Sequence, residues 1–289
     1  MSYNLVFKKT CECGHLDVAK QLVQINSSFA NSFADQAFVK ACSNGHLEVA
    51  QWLIESYPSI VNVSACVNFA FHNACSNGHL KVAQWLVHTY PSAVNISMHD
   101  NEEFVYACMF GHLEVAKWLV ESYPQINISS SNNFSFRFAC SNGHLEVAQW
   151  LTELYPSMNI SADNDCAFQR ACTNGHLKVA KWLVQIQPSI NISANNDSAF
   201  VYACSNGHLE VAKWLIQSYT QINISADDYH AFRLACSNGH LEVAKLLIES
   251  YPQINVSVRN NSAFMSACSN GHFKVSKWLI HLIQLNQST

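Results

Sequence analysis

The chain has 289 residues, enough for one large or two ordinary domains, and 49% of them are hydrophobic against only 12% charged. That is about half the usual charged share and implies an extensive apolar core. A formal net charge of −4 argues against gripping a phosphate backbone through bulk charge, and no apolar run approaches the ~20 residues that span a bilayer.

The chain opens MSYNLVFKKTCECGH, with no long apolar stretch and no small-residue cleavage site. No secretory signal is expected, so the twelve cysteines are read as free thiols of a reducing cytoplasm or nucleus. All nine glycines precede a histidine: Gly14, Gly45, Gly78, Gly111, Gly143, Gly175, Gly207, Gly239 and Gly271. A period of 31 to 33 residues is the signature of a repeat array. Other types keep the same phase. A Cys lies three residues before each of these glycines and a Phe seven before, as Cys204 and Phe200 do for Gly207. Every Trp lies seven after and every Pro thirteen after.

In chain order the repeats fall at 1–31, 32–64, 65–97, 98–129, 130–161, 162–193, 194–225, 226–257 and 258–289, a single domain of nine copies. The first carries Gln21 where Trp usually stands, which suits a capping repeat. The seventh can be read in full. Phe200, Ala203 and Cys204 have i, i+3, i+4 spacing, one face of a short helix. Asn206-Gly207 ends it with a left-handed cap. A second helix is predicted from about Leu209 to Ser218, with the stripe Leu209, Val211, Ala212, Trp214, Leu215 and Ile216. Pro at the next junction is expected to stop this helix in most repeats. The stretch Ile222–Asp228 is read as extended, ending in an Asn/Asp-rich hairpin-like tip. In the last repeat Ile280, Leu282, Ile283 and Leu285 continue an apolar run that could cover itself or pair end to end. Helix pairs of this size cannot bury their apolar faces alone. Stacking removes that surface from water at roughly 25 cal/mol per Å² and makes a mainly α solenoid.

At these residues the sequence resembles the ankyrin repeat family. The family pattern T-P-L-H-x-A, then G-H-x-x-V-V-x-L-L, is matched by Ser198-Ala199-Phe200-Val201-Tyr202-Ala203 and by Gly207-His208-Leu209-Glu210-Val211-Ala212-Lys213-Trp214-Leu215. The Trp, Tyr-Pro and Asn usage resembles ankyrin arrays of large DNA viruses and amoebae. There are departures. Thr-Pro is mostly missing, and Asn or Asp replaces the hairpin Gly. The family His survives only as His72, with Val, Arg, Gln or Met elsewhere, so the hydrogen bonds it makes between repeats are expected to be lost.

Candidate chemistries reduce to repeat-level roles. Zinc needs four ligands at ~2.0–2.3 Å. Each C-x3-H supplies two, and even Cys11, Cys13 and His15 lack a partner motif, so no metal and no cofactor are expected. The Asn-x-Ser series (Asn62, Asn95, Asn127, Asn159, Asn191, Asn223, Asn255) is read as turns rather than glycosylation acceptors, and the Trp row as core rather than a stacking platform for bases. Asp163, Asp165, Asp227 and Asp228 lack calcium-loop spacing. No catalytic set is assigned, and no enzyme is expected.

Function is expected where repeats differ. One such place is two residues after each Phe: Lys40, Asn73, Tyr106, Phe138, Arg170, Tyr202, Leu234 and Ser266. The other is the loop tips, among them Met98–Glu103, Ala162–Cys166 and Ala226–His230. The resemblance implies that these form a concave groove for another protein. All four arginines lie on this side, whereas most lysines, such as Lys181, Lys213 and Lys245, lie on second helices. Arg and aromatic types favour interaction hot spots, so Tyr106, Arg137, Phe138, Arg170, Tyr202, Tyr229 and Arg233 are the candidate partner-binding residues. The expected protein is a monomeric scaffold without nucleic-acid or membrane partners. A ubiquitin-ligase substrate adaptor is the alternative, and a small-molecule or nucleic-acid binder a more distant one.

Overall fold

The computed structural model describes residues 3–58, 61, 63–94 and 101–287. Within them the chain is helices and turns without a strand. It divides into two compact blocks, Met1–Ser135 and Phe136–Thr289. The first holds helix pairs α1 (Tyr3–Glu12) and α2 (Leu16–Ile25), α3 (Ser28–Ser43) and α4 (Leu47–Ser56), α5 (Val63–Ser76) and α6 (Leu80–Thr89), and α7 (Glu102–Met109) and α8 (Leu113–Ser122). After α9 (Ser130–Ser141) follow α10 (Leu145–Leu154), α11 (Ala162–Thr173), α12 (Leu177–Ile186), α13 (Ala194–Ser205), α14 (Leu209–Ser218), α15 (Ala226–Ser237), α16 (Leu241–Ser250), α17 (Val258–Ser269) and α18 (Phe273–Gln287).

The periodic residues make the core. Phe168, Ala171 and Cys172 of α11, with Val179, Ala180 and Leu183 of α12, are almost wholly buried, and the next two repeats bury the same set; in the last, Phe264 is half-buried and Cys268 exposed. The predicted stripe on α14 is buried at Val211, Ala212 and Leu215 and half-buried at Leu209, Trp214 and Ile216. The tryptophans therefore sit at the margin of the core. Phe168 meets Trp214 of the following repeat edge-on at 6.4 Å, as Phe38 meets Trp85 in the first block. Tyr219 covers Trp214 at 5.6 Å and Lys181 lies over it at 6.0 Å. An indole with one buried face and one wet edge suits the amphipathic ring.

Proline does not decide where the second helix stops. α14 ends at Ser218 although Thr220 occupies the proline position, and α4 ends at the equivalent Ser56 before Pro58. In both repeats the helix ends before a Tyr (Tyr57, Tyr219) that leaves helical geometry and packs on the Trp of its own repeat.

The helix–helix turn also joins neighbouring repeats. Gly207 has φ +79° and caps α13. Its neighbour Asn206 donates from Nδ2 to the Thr173 carbonyl at 2.9 Å, and Asn238 donates to the Ser205 carbonyl at 2.8 Å and to its hydroxyl at 3.1 Å. Histidines join the same carbonyl row: the His240 ring hydrogen-bonds the Ser205 main chain, and in the first block Ser43 receives both Asn77 Nδ2 (2.8 Å) and the His79 ring. The S-N-G-H run is thus a polar zipper between repeats as well as a helix stop.

The tips differ from the extended, hairpin-like expectation for Ile222–Asp228. Ile222 and Ile224 are buried, and Asp227, Asp228 and Tyr229 then form a left-handed turn with φ +46°, +54° and +60°. The same turn recurs at 131–133, 163–165, 195–197 and 259–261. Left-handed backbone costs L-residues roughly 1–2 kcal/mol each, less for Asn and Asp, which fill most of these positions. Asp165 and Asp197, third in their turns, are buried and accept the main-chain N–H of Asn191 (3.0 Å) and Asn223 (3.1 Å) in the next loop. The Asn-x-Ser series closes turns. Asn127 Oδ1 accepts from the Ser129 N–H and hydroxyl, and Asn255 from the Ser257 N–H. Asn62, Asn95 and Met98 lie outside the described residues. At the last repeat Phe273 is 78% and Ile280 42% exposed, while Leu282 and Ile283 are half-buried.

Candidate functional site

A groove of about 880 Å³ lies in the second block, lined by the first helices α11, α13 and α15 and their left-handed turns. Its wall contains Asn164, Gln169, Asn174, Asn195 and Asn196 with Ser198, an amide-rich surface. Of the positions two after the Phe in this block, Arg170 and Tyr202 are exposed and Phe138 and Leu234 half-buried.

Of the candidate residues, Arg170 and Tyr202 line this groove. Arg170 is held from two sides: its Nε donates to Cys166 Sγ at 3.1 Å, and its guanidinium lies over the Phe138 ring at 5.5 Å. Tyr202, on the next helix in the same register, is 51% exposed.

Arg137 and Arg233 have other employment. Arg137 donates to Asp163 of the following loop at 2.7 Å and its side chain is only 13% exposed. Arg233, 15% exposed, reaches back to its own turn, donating to the carbonyls of Asp228 (3.0 Å) and Asp227 (2.9 Å). Arg259 pairs with Asp228 at 2.8 Å and also with Asp227. The carboxylates weighed as calcium ligands are thereby engaged with arginines or main-chain N–H groups. Tyr229 lines a separate, smaller groove beside Ile222 and Tyr251, its hydroxyl donating to the Gln253 carbonyl at 3.3 Å.

The expected loss of inter-repeat hydrogen bonds at the family His position holds where Val or Met stands, as at Val201, and is corrected by the structure at two polar replacements. Gln169, which replaces that His, accepts from Asn195 Nδ2 (3.1 Å) and the Ser198 hydroxyl (2.9 Å) of the next repeat and donates to the Asn164 carbonyl (2.6 Å). Arg137, at the same position, makes the inter-repeat bond to Asp163. At Gln169 and Arg137 a polar side chain restores the link with a new partner, whereas Arg233 at the same position bonds its own turn. Gln169 and Asn174 had no mark as groove residues in the sequence beyond departing from, or following, the repeat pattern.

In the first block, His72 keeps the family identity. Its Nδ1 lies 3.5 Å from Glu103 Oε1, and that hydrogen bond outweighs burial and raises the His72 pKa. Tyr106 meets His72 edge-on at 5.3 Å and stacks on Phe110 at 6.0 Å. Tyr106 is therefore part of a local aromatic cluster of this block.

The thiols divide by position. Burial pushes Cys11 up to about 12 and raises Cys172 and Cys204 further. Buried neutral thiols of this kind act as small hydrophobes. Among the described residues no group of three or more His, Cys, Asp or Glu is placed to hold a metal, and no helix is long and apolar enough to cross a membrane.

Comparison with protein families matches ankyrin repeats (3 copies) over residues 7–100, 72–163, 136–228 and 224–289. The chain belongs to the ankyrin repeat family. Ankyrin repeats are generally protein–protein interaction modules, and their stacked helices are typically a non-catalytic framework. Comparison with curated proteins returns no match.

Proposed function

We propose that this ankyrin chain is a non-catalytic binding module that captures another protein through the groove of its second block. One observation carries the reading. The groove is lined where the repeats differ, at Cys166, Gln169, Arg170, Tyr202 and His230, whereas the periodic Ala171, Cys172, Ala203 and Cys204 are wholly buried in the core. The second helices of this block are generic: Lys245 pairs with Glu242 at 3.0 Å. Exposed pairs of this sort contribute little beyond solubility. Arg170 and Tyr202 are the contact residues, with Phe138 as the support of Arg170. Arg137 and Arg233 shape the wall through their bonds to the turns. Free thiols throughout suit a reducing compartment.

The test is affinity capture with mass spectrometry using the intact chain and two double variants. Arg170→Glu/Tyr202→Ala is expected to lose a specific partner at least tenfold, while Lys213→Glu/Lys245→Glu retains it. Equal recovery by the two variants would reject the groove.

A further inference from the structure

We propose that the groove recognises a partner segment that places a carboxylate side chain, Asp or Glu, on Arg170. The inference rests on the binding reading above and specifies the chemistry of its occupant.

The charges around the groove are almost all matched internally. Asp163 is taken by Arg137, and Asp227 and Asp228 by Arg233 and Arg259. Asp165 and Asp197 do not line the groove and accept main-chain N–H groups of the following loops. Arg170 is the exception: no carboxylate among the described residues pairs with it, and its neighbours are a thiol and an aromatic ring. Of the charged side chains that line the groove, Arg170 alone has no oppositely charged partner among the described residues, and the complement of its positive charge is an anion.

The supports also fix what kind of anion fits. Cys166 engages Nε, and the Phe138 ring lies against the guanidinium plane. Among the described residues nothing bonds either terminal nitrogen, which leaves the fork that a bidentate acceptor requires. Holding the fork in advance lowers the ordering cost of binding. Beyond Arg170 the walls carry exposed amides, Asn164 and Asn196, and the exposed ring of Tyr202. Amides can both donate to and accept from a peptide main chain, and Tyr supplies rigid contact area. Small-molecule pockets, in contrast, are lined mainly by apolar side chains. The surface therefore fits an acidic peptide segment of a protein.

The experiment pans a random 12-residue phage-displayed peptide library against the intact chain and ranks the selected peptides by fluorescence anisotropy. The selected peptides are expected to share one Asp or Glu position. Changing it to Asn or Gln, or introducing Arg170→Gln, should weaken binding tenfold or more. The two changes together should cost no more than either alone. Arg170→Lys keeps the charge but loses the fork, and should give an intermediate loss. Each variant is checked by circular dichroism and thermal melting, and exposed Arg170 makes loss of fold unexpected. Peptides that lose affinity on Tyr202→Ala but share no acidic position would overturn the carboxylate and leave the groove standing. Failure to select peptides, or selected peptides insensitive to both Tyr202→Ala and Arg170→Gln, would overturn the inference together with the binding reading.

Discussion

The His240 imidazole occupies the space that a side chain on Gly207 would need: a Cβ there would come within 3.0 Å of three ring atoms. Gly207 is thus required twice, by its φ of +79° and by the repeat stacked on it. Gly271 shares the conformation, at φ +77°, but a Cβ there meets nothing within 4 Å. The two positions separate backbone strain from inter-repeat packing. Gly271→Ala should cost about 1–2 kcal/mol, the left-handed penalty. Gly207→Ala should cost about 1–3 kcal/mol more, for displacing the ring. Urea unfolding of the two variants checks this, and equal losses would mean that the His–Gly contact carries no energy.

Acid should weaken the fold before carboxylates titrate. Burial lowers the pKa of His79, His112, His176 and His240 below the ordinary 6.5, with neighbouring His rings adding to the effect at His79, His176 and His240. The unfolded chain therefore binds protons first. The stability these groups contribute is present above about pH 6.5 and is lost as pH falls through their folded values. The urea midpoint should fall between pH 8 and pH 5.5, and His240→Asn should flatten the fall. A midpoint that rises on acidification would reverse the assignment.

His72 behaves oppositely, because Glu103 raises its pKa. Its contribution is present below about pH 6.5 and is lost as pH rises through its folded value. Glu103 is only 4% exposed, with Oε2 unpartnered, at a position where later repeats hold Ala167, Ala199 and Ala231. Glu103→Ala should lower the His72 titration midpoint, read by NMR. At pH 8 it should also stabilise the chain by about 1–2 kcal/mol, the cost of an unsatisfied buried oxygen. An unmoved His72 midpoint would break the pairing.

What could be read from the sequence follows from how each feature is encoded. Phe200, Cys204 and Gly207 occupy positions where packing or φ dictates a type, so recurrence exposes them, and α14 runs over the expected Leu209–Ser218. Trp214 has an amphipathic ring, and its half-burial depends on the Phe168 and Tyr219 rings it meets, which periodicity alone does not reveal. The three left-handed residues Asp227–Tyr229 are not legible in the sequence, because Asn and Asp favour many turn types. The arginines show the sharpest limit. Residue type groups Arg137, Arg170 and Arg233, yet two are engaged by Asp163 and by the Asp227–Asp228 turn. Only the folded stack tells which guanidinium is left over.

The claim on which the account rests is that partners touch the non-repeating wall around Arg170 and Tyr202. Photo-crosslinking tests it most directly, with benzoylphenylalanine installed in turn at position 202 on the groove and at position 213 on the second helix α14. The account predicts a discrete covalent adduct with another protein from position 202 and none from position 213. Adducts from position 213 alone would contradict it.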